Sequence, residues 1–86
     1  MERLGQERAR GMTRGALDIL RRSGQPMGLR AITLRLMADK DMATADPAVV
    51  NRTMEKLRVS LTRQWQHGIL AREVGPGQSI LWRVVR

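Results

Sequence analysis

The spacing of apolar residues changes at Gly68 from a helical period to an extended one. Before this glycine, apolar residues recur at helical spacing in three segments, which predicts three amphipathic helices. The segments are residues 13–23, 29–40 and 47–67. After it, the β-rich runs ILAREV and SILWRVV flank the turn sequence GPGQ, which predicts a hairpin. The predicted fold class is therefore mainly α with a small β-hairpin.

Short-range signals mark where the predicted helices begin and end. Gly24 follows the first helix, and the segment 41–46 is typical of a loop between the second and third. Asp46 and Pro47 predict the start of the third helix, because a carboxylate caps the first turn and proline at N1 loses no hydrogen bond. Gly68 supplies a residue that adopts positive φ easily at the helix end.

The inward positions of each predicted element follow from the same periodicity. On the helices they are Ala16, Ile19, Leu20, Leu29, Ile32, Leu36, Val50, Met54, Leu57, Leu61 and Trp65, and on the last strand Ile80, Trp82 and Val84. Leu34 and Met37 widen the apolar arc of the second helix. A middle helix that packs against two neighbours explains them, and a dimer contact is the alternative.

The length and the absence of cysteine limit what can stabilise this chain. Its 86 residues predict one domain, and without cysteine it has neither a disulfide nor a thiolate zinc site. No apolar run approaches the roughly 18 residues of a membrane span, and the first residues lack the apolar part of a signal peptide. We therefore expect a cytoplasmic protein that does not enter a membrane.

The net charge and its distribution along the chain indicate the class of partner and the extent of the domain. The formal net charge is +8 and the isoelectric point is near 11.7, which favours a polyanionic partner, and nucleic acid is the best candidate. Residues 1–12 are basic without an apolar stripe, so they predict a flexible basic N-terminal arm, and residues 13–86 form the domain. The positive charge follows the predicted helices, whereas the loop 41–46 is acidic.

The order of elements resembles that of the winged helix-turn-helix DNA-binding domains, in particular the small stand-alone winged-helix proteins of bacteria. The segment ALDILRRSGQPMGLRAITLRLM resembles the first two helices of that family. The segment LRVSLTRQWQHGILAREVGPGQSILWRVV resembles its recognition helix, the terminating glycine and the wing. The resemblance covers residues 13–85 and implies a winged helix, with three helices and a wing sheet of two to three strands.

The family resemblance also implies where DNA is bound. The third helix then lies in the major groove and the hairpin acts as the wing of a transcriptional regulator that binds double-stranded DNA as a homodimer, through the first helix and the N-terminal arm. Carried over to this chain, the resemblance implies DNA contacts on the outer face of the third helix and at the wing tip. These residues are Arg52, Lys56, Val59, Arg63, Gly77, Gln78 and Ser79.

Two features depart from the family pattern. The loop between the second and third helices is longer than the three or four residues of a tight helix-turn-helix. Its aspartates, and Asp39 just before it, would repel phosphate if they faced DNA. The wing tip carries no charge.

The sequence contains no combination of residues that predicts catalysis. His67 is the only histidine, and the serines lie in no nucleophile motif. The aspartates of the loop 41–46 lack the glycine and the bidentate glutamate of a calcium loop. We therefore predict no enzyme activity, no cofactor and no metal site.

A second function stays open at this point. Winged helices also serve as protein-interaction modules in larger complexes, since fold does not fix function. Leu34, Met37 and Trp65 are then the predicted contact residues, with Trp65 half exposed instead of anchored in the core. RNA binding is a third possibility, although Trp65 and Trp82 are the only aromatic residues, too few for a platform that stacks single-stranded bases.

Overall fold

The computed structural model describes residues 2–42 and 44–85, with side chains from residue 11 onward. The elements are α1 (Glu2–Ser23), β1 (Met27–Gly28), α2 (Leu29–Asp39), α3 (Pro47–Gln66), β2 (Leu70–Val74), a short 3-10 turn (Pro76–Gln78) and β3 (Ile80–Val84). The strands form one antiparallel sheet in the order β1-β3-β2. The predicted fold class is confirmed: the protein is mainly helical, with three helices and a small three-stranded sheet.

The first helix is longer than predicted. It begins at Glu2 rather than Thr13, so the backbone of residues 2–12 continues the helix. Apolar periodicity missed this part because its helical tendency comes from Glu, Arg, Leu, Gln and Ala, which favour helix without forming an apolar stripe. The predicted start at Thr13 was therefore wrong, while the flexibility of the basic arm and its role stay predictions.

The boundaries of α3 are those predicted from its capping signals. The Asp46 carboxylate accepts a hydrogen bond of 3.0 Å from the backbone N–H of Ala48, and Pro47 occupies the first turn. After Gln66 the helix ends, and Gly68 adopts a φ of +76°. Local chemistry alone thus determines where this helix begins and ends.

The core lies between the three helices and the inner face of the sheet. Its buried apolar members are Ala16, Ile19, Leu20, Ile32, Leu36, Leu57, Leu61, Leu70 and Trp82. Two threonines are also buried, and each hydroxyl donates to the backbone carbonyl four residues earlier: Thr33 to Leu29 at 2.7 Å and Thr53 to Val49 at 2.8 Å. These internal bonds explain how polar side chains occupy core positions that an apolar pattern does not predict.

Met37 is fully buried within the chain, as expected of a middle helix that packs against two neighbours, so it offers no surface for a dimer or for another partner. Two other side chains differ from their predicted environment. Trp65 is 38% exposed and Ile80 is 43% exposed, although both were predicted to point inward. Trp65 follows Leu57 by eight residues, which rotates it about 80° around the helix to the margin of the buried face.

Gly15 marks the close approach of α1 to α2. A Cβ atom added there would lie 2.6 Å from Leu36 Cδ1, whereas one added at Gly11 would meet only Lys40 Nζ at 3.6 Å. Both substitutions to alanine add about 0.5–1 kcal/mol of helix propensity, but Gly15→Ala must also displace a buried leucine at a cost of about 1–3 kcal/mol.

We therefore expect Gly15→Ala to unfold about 1–3 kcal/mol more easily than Gly11→Ala. Chemical denaturation of the two variants measures this difference against a matched change in the same helix. Equal stability of the two variants would contradict the close packing of α1 on α2.

Candidate nucleic-acid interface

The outer face of α3 presents the cations that the sequence predicted there. Arg52, Lys56 and Arg63 are exposed together with Val59, which is 53% exposed. None of the three cations forms an ion pair with another residue that the structure describes. Their charges therefore remain available to an anion.

The predicted wing tip is a short turn with most of its polar groups bonded internally. The Gly75 N–H donates to the Ser79 carbonyl at 2.7 Å, and the Gln78 N–H donates to the Gly75 carbonyl at 3.1 Å. The Ser79 hydroxyl donates to the Pro76 carbonyl at 3.0 Å. Gly77 and Gln78 both adopt positive φ, and Gly77, Gln78 and Ser79 are exposed. The tip is thus an exposed turn of fixed conformation in which few hydrogen-bond donors remain unbonded.

A groove of about 440 Å³ lies between α3, the beginning of α2 and the wing. Three arginines from three different elements line it: Arg30 of α2, Arg58 of α3 and Arg72 of β2. Its other lining residues are Gly28, Leu29, Thr62, Ser79, Ile80 and Trp82. Sequence reasoning missed these arginines, because no local pattern indicates that positions so far apart in the chain meet in one groove.

The groove continues onto the outer face of α3. A neighbouring depression of about 250 Å³ is lined by Arg58, Val59, Thr62, Arg63 and Gln66. Arg58 and Thr62 line both concavities. Of the residues predicted from the resemblance, Val59, Arg63 and Ser79 thus join this continuous surface. The other four, Arg52, Lys56, Gly77 and Gln78, are exposed but line neither concavity.

The beginning of α2 adds a second favourable feature for an anion in the groove. Its N-cap is Gly28, which provides no side-chain cap, and its first turn contains no acidic residue. The first N–H groups of a helix lack intrahelical partners and carry the positive end of the helix dipole. Phosphate groups are commonly bound at such an end.

Carboxylates near the groove compensate only part of its charge. Glu55 accepts a hydrogen bond of 2.9 Å from Arg58, and both side chains are solvent-exposed. Arg30 and Arg72 form no ion pair with any residue that the structure describes. The groove therefore keeps a net positive charge.

The acidic loop lies away from this groove. Arg30 is the second residue of α2 and Asp39 is its last, so a rise of about 1.5 Å per residue separates their Cα atoms by about 14 Å. The aspartates that end α2 and begin α3 line neither concavity of the interface. Repulsion between these aspartates and a phosphate therefore acts near the end of α2 and not at its beginning, where the groove lies.

Comparison of this chain with protein-family models, curated proteins and solved structures finds no match in any of the three. Within residues 2–42 and 44–85, no helix has both the length and the apolar character needed to cross a membrane. Across the same residues, no group of three or more His, Cys, Asp or Glu side chains could hold a metal ion. The geometry and charge of the interface therefore indicate its candidate function.

Proposed function

We propose that this protein is a small cytoplasmic DNA-binding protein of the winged helix-turn-helix type that regulates transcription. The observation that supports it is the groove lined by Arg30, Arg58 and Arg72, which continues onto the exposed cationic face of α3. Three unrelated elements contribute one arginine each to a concave, positively charged surface. Such a surface suits a polyanion that passes between the helix and the wing.

The length of α3 is compatible with the major groove of duplex DNA. The 20 residues of α3 give a rod about 30 Å long, and an α-helix fits the major groove, which is about 12 Å wide. In that position Arg63 can offer its planar fork to guanine, and Val59 can contact a thymine methyl group. The groove beside α3 then holds one phosphate backbone.

This arrangement separates the two tasks of DNA recognition. Contacts from Arg30 and Arg58 to phosphates fix the position of the protein but carry no sequence information. Contacts from the outer face of α3 to base edges supply the sequence preference. A homodimer, predicted to form through α1 and residues 1–12, would read two half-sites spaced by about one helical turn of DNA.

The salt dependence of binding tests the proposal. Three phosphate contacts in the groove predict that log affinity falls against log salt concentration with a slope of about −2.7 or steeper, since each contact contributes about −0.9. Fluorescence anisotropy with a labelled duplex, between about 50 and 200 mM salt, measures this slope. No binding at the lowest salt, or a flat slope, would refute the proposal.

A protein-interaction module is the second candidate, and one observation favours it. Val74 and Ile80 lie directly opposite each other at the end of the hairpin, and Val74 is 73% exposed. The buried position of Met37 removes it from the contact residues predicted for this function. In the same titration, light scattering that detects a tight assembly without DNA would favour this candidate. Tighter binding of RNA or single-stranded DNA than of duplex DNA would favour neither the duplex-DNA-binding protein nor the protein-interaction module.

A further inference from the structure

Arg72 is held between the two tryptophans of the chain. Its guanidinium carbon lies 3.5 Å from the centroid of the Trp65 ring and 5.8 Å from that of Trp82. Trp82 is buried and is the cross-strand partner of Arg72 in the sheet. Trp65 belongs to α3 and is partly exposed. Arg72 therefore joins the wing to the recognition helix at the edge of the groove.

The stacking restrains Arg72 without occupying its hydrogen-bond donors. A guanidinium that lies over an aromatic ring keeps its N–H groups in its own plane, so these donors remain available at its edge. The cation–π attraction at a half-exposed site corresponds to roughly a two- to fivefold change in an equilibrium constant. An unrestrained arginine would lose rotamer freedom when it binds a phosphate. Because the ring already restricts Arg72 in the unbound protein, this entropy loss on binding is smaller.

The other charged groups of the hairpin are unsuited to the same contact. Arg83 donates to Glu73 at 2.7 Å, and this pair lies on the opposite face of the sheet because successive side chains alternate. The turn Pro76–Gln78 carries no charge. Within residues 69–85, Arg72 is the one cation that lines the groove.

We propose that Arg72, held by the Trp65 ring, is the cation with which the wing binds a phosphate of the DNA backbone. Trp65 is a positioning residue that acts through Arg72. The inference rests on the proposed DNA binding. It places a charged wing contact on the strand beside α3, whereas the resemblance placed the wing contacts at the uncharged tip residues Gly77, Gln78 and Ser79.

Four variants separate charge, stacking and fold. Arg72→Ala removes the phosphate contact, so we expect weaker binding and a salt slope shallower by about 0.9. Trp65→Leu keeps the charge but removes the stack, so we expect affinity at fixed salt to fall about two- to fivefold with a slope close to wild type. Trp65→Phe should restore most of this loss. Arg72→Lys should keep the slope but not the full affinity, because lysine lacks the planar fork.

Nuclear magnetic resonance of the DNA-free protein supplies a readout that is independent of binding. The ring current of Trp65 should shift the Nε–H proton of Arg72, and this shift should shrink in Trp65→Leu, where only the more distant Trp82 ring remains, and persist in Trp65→Phe. An Arg83→Ala variant serves as the control in the same hairpin, because Arg83 pairs with Glu73 on the face of the sheet opposite to Arg72, and we expect its salt slope to match wild type. Circular dichroism checks that each variant is folded.

The outcomes separate this inference from the proposed function. If wild type fails to bind duplex DNA at low salt, both proposals are refuted. If wild type binds with a steep salt slope but Arg72→Ala retains that slope, only the role of Arg72 is refuted. If Trp65→Phe binds as weakly as Trp65→Leu, or Trp65→Leu binds as wild type, the positioning role of Trp65 is refuted.

Discussion

Replacing Leu57 by alanine is expected to lower the free energy of unfolding by about 3–4 kcal/mol. Leu57 is fully buried on α3, and its side chain belongs to the core shared by the helices and the sheet. Removing a buried leucine side chain costs its transfer free energy and leaves a cavity, which together amount to about 2–5 kcal/mol. A domain of this size has a total stability of only about 4–13 kcal/mol, so the variant should lose roughly a quarter of it or more.

Val59→Ala provides a matched control in the same helix. Val59 lies two residues from Leu57 but is 53% exposed, so its truncation should change stability by less than about 0.5 kcal/mol. Urea denaturation of both variants measures the contrast. A loss below about 1 kcal/mol in Leu57→Ala would contradict the inward orientation of this face of α3.

The proposed DNA binding is expected to weaken roughly a hundredfold when two arginines are removed from the groove. The double variant Arg30→Gln and Arg58→Gln lacks two proposed contacts to phosphate, each worth about 1.5 kcal/mol at a site open to solvent. The salt slope should become shallower by about 1.8. Because phosphate contacts carry no sequence information, the loss should be similar for different duplexes.

An equal change of charge elsewhere separates specific placement from overall basicity. Arg22 and Arg35 line a depression beside α1 and α2 that shares no lining residue with the groove. The double variant Arg22→Gln and Arg35→Gln should therefore keep affinity and slope close to wild type. Equal losses in the two double variants would show that binding depends on net charge alone.

The sequence predicted the elements well where local chemistry determines them. The capping pair Asp46 and Pro47 marked the start of α3, and the glycine turn marked the hairpin. Prediction failed at the start of α1, where helix-forming residues lack an apolar stripe. For Met37 the sequence left two alternatives open, and its burial favours packing against two neighbouring elements over a dimer contact.

The candidate interface was only partly predictable. Periodicity correctly assigned Arg52, Lys56, Val59 and Arg63 to the exposed face of α3. It assigned Trp65 to the core stripe, since a four-residue step drifts about 40° around a helix and two such steps reach the margin of the buried face. At that margin Trp65 contacts Arg72 of the sheet. The periodicity of α3 alone cannot predict this contact, because Arg72 belongs to another element.

The sequence alone predicts three amphipathic helices, a hairpin, their main boundaries and a strong positive charge. These properties depend on residues that are close together in the chain, where periodicity, caps and turns act. The groove lined by Arg30, Arg58 and Arg72 and the stacking of Trp65 on Arg72 are visible only in the folded chain. They arise because α2, α3 and β2 pack around one core and so bring together side chains that no local interaction relates.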